Sequence, residues 1–297
     1  MRVFVTGATG FIGSAVVKDL IGAGHDVLGL ARSNATAVSL VAVGAEPRRG
    51  SLEDLDSIRA GAAIADGVIH TAFDNSDLSK FRENGETERR AIDVLGSVLE
   101  GTDRPLILTS GFASLAPGRV ATELDVRQPG STASGRVSEA AATALAELGV
   151  AAAVVRLPCV HGYGDRFTVP MFIGIARKTG VSAYVGNGLN RWSAVHNIDA
   201  AGVYRRALEA KVAGARYHAV AEEAVLFKDI AEVIGRRLNL PVVSMASHEA
   251  DEHFGALSFF AQADMPASSA LTREHLSWQP TGPRLLTDID QPSYYET

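Results

Sequence analysis

The sequence predicts an α/β fold, a doubly wound parallel sheet with a smaller, partly discontinuous C-terminal lobe. Three observations predict it. Short apolar runs alternate with amphipathic stretches through roughly the first 160 residues. A glycine-rich turn, "TGATGFIG", lies at the first junction of an apolar run and an amphipathic one. Beyond residue 160 the alternation breaks, and loops, short strands and helical stretches follow in no fixed order.

Taken in order, "RVFVTG" reads as a strand and "FIGSAVVKDLIGAG" as a helix stopped by glycine. "DVLGLAR" is a second strand, "ATAVSLVAVG" a second helix, and "GVIHTAF" a third well-formed strand followed by the helix "ERRAIDVLGSVLEG". "PLILTSG" and "AAAVVRLP" are further strands separated by the helix "SEAAATALAELG". Strands joined through helices at this rhythm imply right-handed crossovers and a parallel sheet covered on both faces. Later, "YVGNGLNRWSAVHNIDAAGVYRRALE" reads as a loop and hairpin entering a helix, "ARYHAVA" as a strand, "LFKDIAEVIGRRLN" as a helix and "PVVSM" as a strand. The expected division assigns residues 1–163 and 193–221 to the sheet domain, and 164–192 and 222–297 to a lobe over the sheet's carboxyl edge. Ligands of such sheets bind at the carboxyl ends of the strands, and small substrates sit in clefts between lobes.

Composition narrows the function. The 297 residues carry 28 basic and 34 acidic side chains, a net charge of −6, which disfavours nucleic acid or an anionic membrane as main partner. A lone cysteine, Cys159, excludes an intramolecular disulfide and fits a reducing cytoplasm; its apolar surroundings predict buried packing. No apolar run approaches the ~20 residues of a membrane span, and "MRVFVTG" reads as a strand, not a targeting segment, so a cytoplasmic location is expected. The eight histidines show no metal-ligand spacing, so no metal is expected, and no Gly-x-Ser-x-Gly elbow is present.

In "TGATGFIG", Gly7 allows a tight turn, Gly10 lets backbone approach a diphosphate, and Gly13 lets helix pack closely on strand. The diphosphate would meet a helix N-terminus, where unpaired N–H groups and the helix dipole favour negative charge. At the end of the second strand an NAD-binding fold places an acid for the ribose 2′-hydroxyl. This chain has Ala31, Arg32 and Ser33 there, and a guanidinium with a hydroxyl suits a 2′-phosphate. The expected cofactor is NADP(H).

These motifs together resemble the short-chain dehydrogenase/reductase superfamily, in its extended and atypical branches, which include NAD-dependent epimerases and dehydratases. "GVIHTAF" resembles the strand that ends beside the nicotinamide ribose, "LILTSG" the strand with the active-site serine, and "VVRLPCVHGYGD" the run bordering the substrate. "GNGLNRWSAVHNIDAA" resembles the segment leading into the substrate lobe. The resemblance implies a Rossmann fold, oxidoreductase chemistry and a homodimer through sheet-flanking helices. It also extends the cofactor groove to Thr9, Phe11, Ile12, Ser51 and Leu52. Further along the chain it adds Thr71, Ala72 and Phe73, then Asp93, Ser110 and Pro158.

The family's reaction uses an asparagine, a serine, a tyrosine and a lysine four residues after the tyrosine. By position the asparagine falls on Asp93, which would order backbone near the cofactor, and the serine on Ser110 or Gly111. Glu139 and Arg156 keep the spacing of the tyrosine motif, which puts Ser131 on the tyrosine, Ser134 on the motif's serine and Gly135 on the lysine. A serine hydroxyl is far too weak an acid to replace a phenol, and Arg136 lies one residue past the lysine position, about 100° away on a helix. Hydride transfer survives such a loss, because general acid catalysis contributes ~10²–10⁴-fold while proximity can contribute more. Ser110 could polarise a carbonyl, with a proton from His161, Tyr163 or a water held by Ser131 or Ser134. Ser131, Arg191, Trp192 and His196 are candidates for the substrate cleft, and His70 for a satisfied buried histidine.

Three functions fit this pattern. The first is an NADP(H)-dependent reductase or dehydrogenase of a small carbonyl or alcohol. The second is a non-catalytic NADP-binding module that senses redox state and binds a partner. The third is a sugar-nucleotide epimerase or dehydratase, against which the missing tyrosine weighs most; its diphosphate would need cations such as Arg177, Lys178 and Arg191.

Overall fold

The computed structural model describes residues 1–75, 77–113, 115–127 and 137–296. Strand β1 (Arg2–Thr6) leads into helix α1 (Phe11–Gly22), β2 (Asp26–Ala31) into α2 (Asn34–Ala42), β3 (Glu46–Arg49) into α3 (Leu55–Ala63), and β4 (Gly67–His70) towards α4 (Phe81–Leu99). β5 (Leu106–Gly111), α5 (Ser138–Glu147) and β6 (Ala152–Leu157) continue the alternation. Then come β7 (Cys159–His161), α6 (Thr168–Thr179), β8 (Ser182–Val185), β9 (Arg191–His196), α7 (Asn197–Ala210), β10 (Arg216–His218), β11 (Glu222–Leu226), α8 (Phe227–Leu238) and β12 (Val242–Met245). Four short helices follow: α9 (Ala250–Phe254), α10 (Ser258–Gln262), α11 (Ala270–Leu276) and α12 (Leu285–Asp288).

Seven parallel strands form the central sheet in the order β10-β6-β5-β4-β1-β2-β3, the doubly wound arrangement expected. The strand order reverses between β1 and β4, which opens a crevice at their carboxyl ends. Side-chain alternation divides the core. Val3, Val5, Ile69, Ile107 and Val155 pack with α1 and α7, while Phe4, Val68, Leu106, Leu108 and Val154 pack with α3, α4 and α5. A third core, around the aromatic cluster of Phe172, Trp192, Phe227 and Phe254, fills the C-terminal lobe.

Several elements escape the sequence pattern, among them β3, α3, β7, α6 and β11. β3 has the sequence "EPRR" yet pairs with β2 in register Leu28↔Glu46 through Ala31↔Arg49. It is the sheet's edge, where proline and charge are tolerated. α3, capped by the Asp54 side chain accepting from Ser57 N, and α6 are likewise unannounced. The expected hairpin is also corrected. β8 pairs in parallel with β12, whereas β9 pairs with β7 and β11, so the chain between them passes from one small sheet to another. Among the described residues no helix is long and apolar enough to cross a membrane.

Candidate active site

A cleft of about 530 Å³ lies along the carboxyl ends of β1, β4, β5 and β6 and is closed on its other side by the C-terminal lobe. Its floor is the glycine turn. Gly7 has φ +69°, and a Cβ there would lie 2.7 Å from Ala72 N; a Cβ on Gly13 would lie 2.1 Å from Gly7 O. Thr71 is fixed alongside by its hydroxyl, which donates to Thr6 O at 2.8 Å. α1 starts at Gly10 with no side-chain cap and no acid in its first turn. Its N–H groups are therefore offered to an anion, and Gly7, Gly10, Phe11, Ile12 and Gly13 line the cleft. This tip fits the diphosphate of a dinucleotide. Thr9 is exposed on the same turn.

At the far end of the groove, Arg32 is exposed just after β2. Ser33 is committed locally: its hydroxyl accepts from Thr36 N at 3.1 Å and caps α2. Arg32 is a cation there, together with Arg90, and Glu53 is their acidic neighbour. Glu53 is held below the usual carboxylate range, first by the Ser51 hydroxyl and its own amide, then by Arg32 and Arg90. Ser51 and Leu52 are half-buried in the turn before α3.

At the other end Thr71, Phe73, Ser110 and Pro158 line the cleft. Ser110 ends β5 nearly buried, its hydroxyl 3.5 Å from Glu139 Oε2. So long a bond holds the O–H loosely. Glu139 is anchored instead by the buried Arg156, whose Nε donates to Oε2 at 3.2 Å. The substrate end is built from Phe73, Phe81, Phe112, Phe167, Trp192, Phe259, Phe260 and Met265, with no lysine or arginine among the described lining residues.

Several expectations need correction. His161 does not reach the cleft lining: it is completely buried, with Nδ1 2.8 Å from Asp288 Oδ2. Tyr163 is 88% exposed and does not line the cleft. Asp93 faces solvent on α4, paired with Arg89 at 2.8 Å, and cannot order the cofactor groove. Arg191 is bound by Asp264, Nε to Oδ1 at 3.0 Å and a terminal nitrogen to Oδ2 at 2.7 Å, and His196 caps α7 through Ile198 N; neither lines the cleft. Trp192 does, its indole N–H donating to Phe260 O. His70 is buried with Nδ1 2.8 Å from the Thr6 hydroxyl. Cys159 is half-buried in the cleft wall and packs against the C-terminal core, and burial followed by the nearby Asp165 pushes its thiol well up, so it offers no thiolate. Ser131, Ser134, Gly135 and Arg136 lie outside the described residues.

The site also contains a residue that pattern matching passes over. Asp165, in the "HGYGD" run, lines the cleft. Its Oδ1 accepts from Phe167 N at 2.9 Å, while Oδ2 is buried with no hydrogen-bond partner among the described residues. The signal was a carboxyl in a run bordering the substrate, overshadowed by the histidine and tyrosine beside it.

A family model described as the NAD dependent epimerase/dehydratase family matches residues 3–104. An uncharacterized protein of Schizosaccharomyces pombe is 49% identical over 99% of this chain and 100% of its own length. A 2-alkyl-3-oxoalkanoate reductase of Stenotrophomonas maltophilia is 25% identical over 72% of this chain and 67% of its own. The crystal structure of a dTDP-glucose 4,6-dehydratase from Streptomyces venezuelae with NAD bound superposes with a TM-score of 0.78 at 18% identity, covering 99% of this chain and 97% of that one. With the glycine cradle, the strand order and these matches in agreement, the chain belongs to the NAD dependent epimerase/dehydratase family of short-chain dehydrogenases/reductases, in a form that lacks the Tyr-x-x-x-Lys motif.

Proposed function

We propose that the protein is an NADP(H)-dependent reductase of an uncharged, largely apolar carbonyl compound. One observation carries this reading: a single cleft joins an uncapped, glycine-floored helix tip to an aromatic chamber without cations among its described lining residues. Such a chamber suits a ketone or aldehyde and gives a nucleotide diphosphate nothing to pair with, which disfavours a sugar-nucleotide substrate. The ketone-reducing relative from Stenotrophomonas maltophilia supports the same chemistry.

When bound, the nicotinamide dinucleotide supplies the hydride. The chain's residues do the rest. The α1 tip holds the diphosphate, and Arg32 pairs with a 2′-phosphate. Ser110 turns its loosely held hydroxyl to the carbonyl oxygen and polarises it. The aromatic wall excludes water and strengthens that hydrogen bond.

The test is NADPH and NADH oxidation against a panel of ketones and aldehydes, with Gly10→Trp as a control that fills the groove. NADPH-preferring turnover of apolar carbonyls is expected; turnover no higher than the control removes the reading. A non-catalytic NADP-binding module is the second reading, favoured by the absence of tyrosine and lysine from the described cleft lining. It predicts tight NADPH binding with no turnover of any carbonyl.

A further inference from the structure

The missing phenol leaves the cleft without an evident acid, and a residue of its own lining supplies one. We propose that Asp165 is the proton donor of this site, an inference that rests on the reductase reading. Asp165 is the one carboxyl among the described residues that line the cleft, in a wall it shares with Cys159, Phe167 and Thr168. One oxygen is fixed by Phe167 N at 2.9 Å, which sets the side chain's orientation. The other is buried and without a hydrogen-bond partner among the described residues. A buried oxygen left unpaired calls for an explanation, and a bound substrate oxygen would provide the partner. Gly164 and Arg166 on either side are exposed, so the carboxyl also has a short way out to solvent.

The surroundings let Asp165 hold its proton to a higher pH than an ordinary carboxyl. Burial pushes Asp165 up to about 6, against the amides of Phe167, Thr168 and Val169 and the attraction of His161, which pull it down. The titratable groups around it come from several elements. Cys159 and His161 lie on β7, Tyr294 reaches in from the C-terminal segment with Asp288 of α12 behind it, and Glu222 of β11 acts on Cys159. None of these others can serve. His161 is enclosed by Asp288, the Cys159 thiol is pushed well up, and Tyr294 donates to Asp288 Oδ2 at 2.6 Å.

The step balances. The carbonyl carbon receives a hydride from the dinucleotide, and the C=O π pair moves to oxygen. The O–H bond of Asp165 breaks and that proton forms the alcohol O–H. The resulting Asp165 carboxylate is reprotonated from solvent. In reduction the protonated acid is the working form, so kcat falls as pH rises through about 6.

The experiment has two arms. In protein free of cofactor, ¹³C-labelled aspartate NMR should show one carboxyl titrating near 6 that Asp165→Asn removes; its titration in the ordinary carboxylate range overturns the proposal. In the assay, Asp165→Asn should lower kcat by roughly 10²–10³-fold and abolish the falling limb, with NADPH affinity and melting temperature kept. Asp165→Glu should restore part of the rate with a displaced limb, and it serves if the asparagine variant fails to fold. Wild-type turnover with an unchanged pH profile in either variant overturns Asp165 and leaves the reductase standing. Absence of wild-type turnover while NADPH still binds overturns the reductase reading, and the proton donor with it.

Discussion

The proposed function assigns chemistry to Ser110, which lines the cleft, and recognition to Arg32, which is exposed after β2. On the proposed reading, Ser110→Ala removes a hydrogen bond that strengthens as charge develops on the carbonyl oxygen. It should lower kcat by roughly 10²-fold while leaving the KM for NADPH unchanged, as steady-state assays would show. On the same reading, Arg32→Ala removes a charge-assisted bond to the 2′-phosphate. Calorimetry should find NADP(H) binding weakened by roughly 10–10²-fold and NAD(H) binding unaltered. The sequence pointed to both positions, since strand ends in this fold carry such groups, and the structure places Ser110 in the cleft lining and leaves Arg32 exposed after β2. His161 was legible only as a histidine with a suitable intrinsic pKa. What encloses it, Asp288 and the covering C-terminal segment, lies more than a hundred residues along the chain, |i−j|=127 for that contact. Asp165 was in plain view four residues later, yet its burial is equally a product of distant packing.

Helix α1 shows how an element turns local pattern into a site. Its contact with β1 is set by Gly13, where a Cβ would sit 2.1 Å from Gly7 O. Gly13→Ala must displace the helix from the turn. A loss of about 1–3 kcal/mol in urea unfolding is expected, together with measurably weaker NADPH binding by fluorescence titration. The glycine spacing announced this element because its constraint is local. β3 announced nothing: "EPRR" has neither apolar alternation nor β propensity, and it is a strand because β2 offers it an unpaired edge. The same holds for β8 and β9, whose partners β12 and β11 were invisible to a reading of neighbouring residues.

Across the whole molecule, buried charge ties the sheet to its C-terminal lobe. His218, on the edge strand β10, is completely buried between Ser268 O, 2.7 Å from Nδ1, and an Arg156 terminal nitrogen, 3.0 Å from Nε2. A carbonyl only accepts and a guanidinium only donates, so Nδ1 carries the proton and the ring is neutral. Burial first, and Arg156 second, push its pKa down to about 3. The unfolded chain therefore binds a proton at higher pH than the native one. The contribution of His218 to stability is complete above its ordinary value of about 6.5 and is lost as pH falls towards about 3. Urea unfolding of wild type between these limits should steepen by about 1.4 kcal/mol per pH unit relative to His218→Gln. Parallel slopes for the two proteins would place the proton elsewhere.

By itself the sequence determined the parallel sheet, the glycine cradle and the loss of the Tyr-x-x-x-Lys pair. Each of these is written in residues adjacent along the chain or in a repeating period. The tertiary structure alone decided which side chains reach the cleft. It buried His161, turned Tyr163 and Asp93 to solvent, bound Arg191 to Asp264, and set Asp165 in an aromatic wall. Burial and pairing are made by segments far apart in sequence, and those two quantities fix whether a group can hold or move a proton.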